Sequence, residues 1–435
     1  MCIYALRVPP GGARRQHDVE NWRDVVLEAA AIKASDVFWK AGAHPAVRVQ
    51  GKIQIWTHHP VLTAADTQGM ADELMNDRQQ ALFEEFPERD LGLTVGDACR
   101  LRINIFRQQN TTGLVMRIIP LEIATIDDLE LPTVLKDISM SPMGVVLVTG
   151  PTGSGKSTTL AAMIDHINNE RKGNIVTIED PIEYVHPDKN CIVNQREVGI
   201  DTMSFSDAMK YVVRQSPDVI LIGEMRDVET MNVAMQAAET GHLVFSTVHT
   251  SSAPETMERI INMFPPHQRD MICLRMSKSL RAILSQALIP RAGTDGRVAA
   301  IEVLVANPTV AKLIEEGKPG DTYQVMQEGG YWGMQTRNQA LLHLYREGKI
   351  SARDALFYAG NYTEMRQMLR RVDPKEAEQA AREQPGLGAA RGDIPEAQKA
   401  AAETTGRGGK ISERELQDQA RRARRAGVRR PESPQ

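Results

Sequence analysis

The chain has 435 residues, 42% of them hydrophobic and 25% charged, with a formal net charge of −4. That length accommodates two or three domains of ordinary globular composition, and so balanced a charge excludes any argument for nucleic-acid binding from the molecule as a whole. Its four cysteines, Cys2, Cys99, Cys191 and Cys273, stand singly; without a Cys-x-x-Cys pair, neither a zinc module nor a disulfide framework is expected, which fits a reducing cytoplasm.

In chain order, residues 1–17 read as a flexible lead-in, too short and too broken by Pro and Gly for a signal peptide. Residues 18–120 read as a small α+β domain. An amphipathic helix is expected over Asn21 to Lys33, with Trp22, Val25, Val26, Ala29 and Ile32 on one face. Strands are expected at 36–40, 46–50 and 52–56, a second helix at 63–76, and further strands at 91–95, 99–107 and 113–119.

Residues 121–371 form the second expected domain. Its strands, Val145–Thr149, Ile175–Glu179, Val219–Ile222 and Leu243–Val248, are nearly continuous β-branched and leucine runs. Such runs indicate strands buried on both faces, as in a parallel sheet covered by helices. Residues 290–371 read as mostly helical. No apolar run reaches the roughly 18 residues needed to span a membrane, so membrane association is expected only at the periphery, through partners. Residues 372–435 read as a disordered tail ending in a basic segment, Ala420 to Arg430. Its composition suits a solvated tail, and equally a docking tail for nucleic acid or anionic lipid.

The segment Gly150-Pro151-Thr152-Gly153-Ser154-Gly155-Lys156-Ser157, followed by Thr158, lies between the first of these strands and a helical stretch. It is the G-x-x-x-x-G-K-[ST] phosphate loop in its proper strand–loop–helix context. Glycines let backbone N–H groups close on phosphates, and the helix N-terminus favours the same anion. Lys156 would meet the β- and γ-phosphates, and the Ser157 hydroxyl would ligate Mg²⁺. Nucleoside triphosphate binding follows; what the energy serves does not.

Three further groups stand at later strand ends, where open α/β sheets bind ligands. Ile178-Glu179-Asp180-Pro181 places a carboxylate to orient a water or hold Mg²⁺, or is simply an acidic turn. Asp218 to Glu224 has the form of a Walker B strand, with Glu224 near Mg²⁺. His249 follows the last strand, placed to sense the γ-phosphate or to serve a structural role.

Together, Gly150–Ser157, Thr177 to His186, Gln195 to Gly199, Gly223 to Asp227, Ala238 to His242, His249 to Ala253, Gly296 to Ala300 and Gly333 to Thr336 resemble the secretion and pilus traffic ATPases, within them the type IV pilus retraction motors of the PilT/PilU family. The resemblance covers roughly residues 20–370 and implies a PAS-like N-terminal domain before a RecA-like ATPase domain. It implies a homo-hexameric ring that hydrolyses ATP to withdraw pili and drive twitching motility. The ring would act on an inner-membrane pilus platform protein from the cytoplasmic side, with no nucleic-acid partner. Glu179 is implied as the water-activating base, with Glu224 beside Mg²⁺; since a water could be reached from either acid, the sequence leaves open which of the two is the base. Arg102 and Arg117 are implied as phosphate-reaching fingers, a role suited to a planar, permanently charged guanidinium. PilT proteins carry an Ala-Ile-Arg-Asn-Leu-Ile-Arg-Glu segment where this chain has Asn307 to Glu316. That departure opens an alternative, a PilU-like accessory motor working beside a PilT-type paralogue. A pilus-assembly or type II secretion ATPase ranks lower, because those relatives usually carry a four-cysteine zinc module.

Overall fold

The computed structural model describes residues 21–383, apart from Gln50 and Asp97. Two sheets organise it. The first contains β1 (Asp36–Lys40), β2 (Ala46–Val49), β3 (Lys52–Ile55), β4 (Glu88–Val95), β5 (Cys99–Gln108) and β6 (Thr111–Pro120), in the order β3-β2-β1-β6-β5-β4. Every pairing in it is antiparallel. Strand β5 shows the period of two that half-burial imposes: Cys99, Leu101, Ile103 and Ile105 face the core, Arg100, Arg102 and Asn104 the other side. The inner face packs on the helix Trp22–Ala31 through Trp22, Val25, Val26 and Ala29. Asn21 caps that helix by accepting a hydrogen bond from the Arg23 N–H.

The second sheet contains β7 (Gly144–Thr149), β8 (Gly173–Glu179), β9 (Cys191–Glu197), β10 (Val219–Ile222), β11 (Leu243–Val248), β12 (Leu280–Pro290) and β13 (Arg297–Val305). Their order is β13-β12-β7-β11-β10-β8-β9, parallel throughout except for the edge strand β13, which runs antiparallel to β12. Val145 and Leu147 enter the core on one face, with helices Val228–Glu239 and Ala253–Met263. Val146 and Val148 enter the core on the other, with helix Lys156–Glu170. This two-sided burial is why Val145 to Val148 are apolar without a break.

The structure adds β9 and β12 to the expected strands and departs from the sequence reading in three further places. A helix at Asp77–Glu85, capped at Asn76, joins the two halves of the N-terminal unit. The stretch after residue 290 is not wholly helical, because Arg297–Val305 forms β13, zipped to β12 over nine residue pairs from Ala282↔Val305 to Pro290↔Arg297. The expected tail boundary at 371 falls too early. Helix Pro374–Glu383 buries Ala377 and Ala380 on the C-terminal helices, and Tyr345 donates to Glu376 at 2.6 Å. Alanines three apart on one helical face pack closely without the bulk that a scan for large apolar residues looks for. The lead-in at 1–17 and the basic segment at 420–430 lie outside the described residues. Among those described, no helix is long and apolar enough to cross a membrane.

Candidate functional site: a nucleotide cleft at the strand ends

The C-terminal ends of β7, β8, β10 and β11 open onto one cleft of about 530 Å³. Lys156, Ser157 and Thr158 line it, with Glu179, Glu224, His249 and Arg117. Thr152, Gly153 and Gly155 line the same cleft, whereas Pro151 and Ser154 line an adjoining one of about 540 Å³. Strand β7 delivers the chain into the phosphate loop, and helix Lys156–Glu170 leaves it. Gly155 caps that helix at φ 87°, where a Cβ would come within 2.8 Å of Gln286 Nε2. Left-handed backbone and lack of room both require glycine there. Lys156 Nζ donates to the carbonyls of Gly150, at 2.9 Å, and Pro151, at 3.0 Å. Burial pushes its pKa down, against the pull of Glu224 and Glu183.

Gln286, which the sequence reading did not single out, holds the loop in shape. It is 2% exposed on β12; its Nε2 donates to Ser154 O at 2.7 Å and its Oε1 accepts from Thr159 Oγ1 at 2.7 Å. The signal was present in the sequence as a polar pair, Ser285-Gln286, interrupting an apolar strand. Gln286→Leu should leave a buried carbonyl and hydroxyl unpaired, costing about 2 kcal/mol. The expected result is weaker nucleotide binding in a calorimetric titration together with a lower urea midpoint; an unchanged midpoint would contradict it.

The two acids differ in character. Glu179 ends β8 with Oε1 accepting from Thr177 Oγ1 at 2.6 Å and Gln195 Nε2 at 3.1 Å. Desolvation outweighs those bonds and a further one from the Glu183 backbone N–H, and raises its pKa above the ordinary carboxylate value; the Glu183 charge adds a smaller rise. Gln195 is fixed in turn: it donates to Tyr184 O at 2.8 Å and accepts from the His186 N–H at 2.8 Å. The 195–199 motif therefore brings a side chain to the base of the acidic box. Glu224 is the opposite case. His249 Nε2 lies 3.2 Å from its Oε1, and Arg226 Nε and Nη2 each reach Oε2 at 2.7 Å. The His249 hydrogen bond, then the Arg226 contacts, pull its pKa down to about 2 against the effect of burial. Thr247 Oγ1 donates to Gly223 O at 2.7 Å, tying the ends of β10 and β11 together beneath the pair.

The two arginines separate. Arg117 lines the cleft and keeps Nε 3.2 Å from Asp36 Oδ1. Arg102 lies directly across from it in the β5–β6 register but is not among the residues lining the cleft. The outer face that carries both turns toward the second sheet, where Arg100 Nη2 meets Glu197 Oε2 of β9 at 3.3 Å. Beyond His249 the chain is clamped. Arg259 donates to His249 O at 2.5 Å, while Arg337 Nη2 donates to Ser251 O at 2.6 Å and Ser285 Oγ at 2.9 Å. Buried Glu302 accepts from the Ala253 N–H at 2.7 Å.

A glycine loop between buried strand and helix, with acids at the neighbouring strand ends, defines a P-loop nucleotide-binding domain. Residues 22–340 match the family described as Type II/IV secretion system protein. The chain belongs to that family. It is 46% identical over 332 residues to the type IV pilus retraction ATPase PilT of Pseudomonas aeruginosa, covering 76% of this chain and 96% of that protein. To the type IV pilus ATPase PilU of the same organism it is 41% identical over 336 residues, covering 77% and 88%. The crystal structure of the pilus retraction motor PilT with bound ADP superposes with a TM-score of 0.74 at 44% identity, covering 79% of this chain and 98% of that one. That of the Legionella pneumophila ATPase DotB gives 0.66 at 27%, covering 78% and 96%.

Proposed function

We propose that this chain is an ATP-hydrolysing motor, a homo-hexameric ring that withdraws type IV pili and drives twitching motility. It would work from the cytoplasmic face of the inner membrane, against the pilus platform protein. The observation that carries this reading is the 46% identity to a pilus retraction ATPase across 96% of that protein's length. The cleft's chemistry is consistent with it. Lys156 would exchange the Gly150 and Pro151 carbonyls for phosphate oxygens. The Ser157 hydroxyl and the ionised Glu224 carboxylate are hard oxygen donors, which fits Mg²⁺; the ion would neutralise charge on the transferring phosphoryl group. Glu179, its pKa raised by burial above the ordinary carboxylate value, would take the proton of the attacking water. His249, tied to Glu224, would report the γ-phosphate to the clamped loop behind it. Arg117 and Arg102 would bring positive charge from the N-terminal unit.

The test is steady-state ATPase activity of wild type, Lys156→Ala and Glu224→Ala, paired with pilus retraction in cells lacking the gene. Turnover should fall to background in both variants, and retraction should cease. Wild-type turnover no higher than that of Lys156→Ala would overturn the motor reading. A second reading, an accessory motor beside a PilT-type paralogue, is favoured by the departure at Asn307 to Glu316; retraction that persists in the deleted strain would select it.

A further inference from the structure

Away from the cleft, three metal-ligating side chains converge on the N-terminal unit. Glu28 belongs to helix Trp22–Ala31, and His58 and His59 to the turn after β3. Glu28 Oε1 lies 3.1 Å from His58 Nε2, and Glu28 Oε2 lies 3.1 Å from His59 Nε2. Each residue offers a ligand atom within 4.8 Å of the others. Four ligands around an ion at bonds of about 2.0–2.1 Å stand about 3.3–3.4 Å apart. The two 3.1 Å contacts, one to each carboxylate oxygen, lie close to that spacing.

We propose that Glu28, His58 and His59 form a binding site for a first-row divalent cation of the imidazole-preferring class, Zn²⁺ foremost. Two imidazoles and one carboxylate leave a fourth position for water. The same set is poorly suited to Mg²⁺, which prefers oxygen ligands, so the site would not compete for the ion that accompanies a nucleotide.

The ligands are held by structure that exists without the ion. The helix is pinned by Trp22, Val25, Val26 and Ala29, which leaves Glu28 on its exposed side. The turn is pinned at both ends. The Trp56 N–H donates to Pro45 O at 2.9 Å, the His59 N–H donates to Trp56 O at 3.2 Å, and His44 Nδ1 lies 2.6 Å from His59 O. The buried Trp56 ring stacks on His59 at 5.3 Å and 24°. His59 is accordingly enclosed, with its side chain 11% exposed, whereas His58 at 56% faces solvent and leaves a route of entry. The two imidazole centroids are 4.3 Å apart. An ion there would tie the first helix to the β3 turn and stiffen the unit that carries Arg117.

The test uses the full chain without an affinity tag, stripped with chelator and titrated with Zn²⁺ in Mg²⁺-free buffer by calorimetry. Co²⁺ serves as a spectroscopic stand-in, and Trp56, 5.3 Å from both histidine rings, as a fluorescence reporter of its arrival. One saturable site per chain is expected, with Co²⁺ quenching tryptophan emission. His58→Ala and Glu28→Gln should each weaken binding by about 100-fold or more, at least as much as losing an outer-shell partner does. His343→Ala, an exposed histidine with Glu347 at 3.3 Å, should leave it unchanged. Equal Zn²⁺ affinity in wild type and in whichever of the two ligand variants folds, or no saturable binding in wild type, would overturn the proposal. Metal-free melting curves of wild type, His58→Ala and Glu28→Gln separate a lost ligand from a lost fold.

Discussion

Glu179→Gln is expected to lower ATP turnover by about 10²–10⁴-fold, the share ordinarily carried by a positioned general base, while making the folded chain more stable at neutral pH. Both effects come from one geometry. The Gln side chain keeps an Oε1 to accept from Thr177 and Gln195, so neither donor is orphaned. What disappears is the charge that burial disfavours. Because the folded-state pKa of Glu179 lies above its unfolded value, ionised Glu179 weakens the fold above that folded pKa. The Gln variant's advantage should be full there and should vanish as pH falls below the unfolded carboxylate pKa. Melting curves of the two proteins at a series of pH values check the sign; a variant less stable than wild type at neutral pH would refute the assignment of burial as the dominant influence. Wild-type turnover should also lose activity on the acid side at a pH above the ordinary carboxylate range. Glu224, held near 2 by His249 and Arg226, stays ionised throughout that window and contributes no such limb. This contrast separates two glutamates that look equivalent as strand-end acids.

Arg117→Ala carries the second large expectation, a drop in single-turnover rate of about 10³–10⁵-fold, the range of an arginine finger on a phosphoryl group. The substitution should not unfold the N-terminal unit. Its partner Asp36 also meets Arg48 Nε at 3.2 Å, so that carboxylate keeps a cation. Arg102→Ala is expected to cost less within a single chain, since Arg102 does not line the cleft. Equal losses in the two variants, measured with the assembled protein, would place Arg102 at the cleft of an adjoining copy. No loss in Arg117→Ala would remove it from the chemistry.

The parts of this molecule that could be read in advance are those whose physics is local. The apolar runs of β7, β8, β10 and β11 announce strands buried on both faces, and the glycine loop after β7 announces a phosphate site. What escaped reading depends on partners far apart in sequence. Gln286 meets the phosphate loop from 132 positions away; the Ser285-Gln286 pair marks a polar break in an apolar strand but does not say what it meets. Strand β13 reads in the sequence as part of a helical region because Val298-Ala-Ala-Ile-Glu-Val-Leu-Val305 suits either conformation until β12 lies beside it. Glu179 and Glu224 could be placed at strand ends, but their opposite titration depends on which cations, amides and hydroxyls surround them in three dimensions. Arg117 and Arg102 are register neighbours, and only the packing of one sheet against the other distinguishes them.

The adjacent residues Ser285 and Gln286 take hold of two different loops. Gln286 grips the phosphate loop at Ser154, and Ser285 grips Ser251 behind His249, sharing that carbonyl with Arg337 of the C-terminal helices. A mechanical load on those helices would therefore reach both the phosphate loop and the loop behind His249 through neighbouring residues of one strand. For a machine that works against tension, hydrolysis and force would share one lever arm, and the speed of the chemistry would become a gauge of the pull.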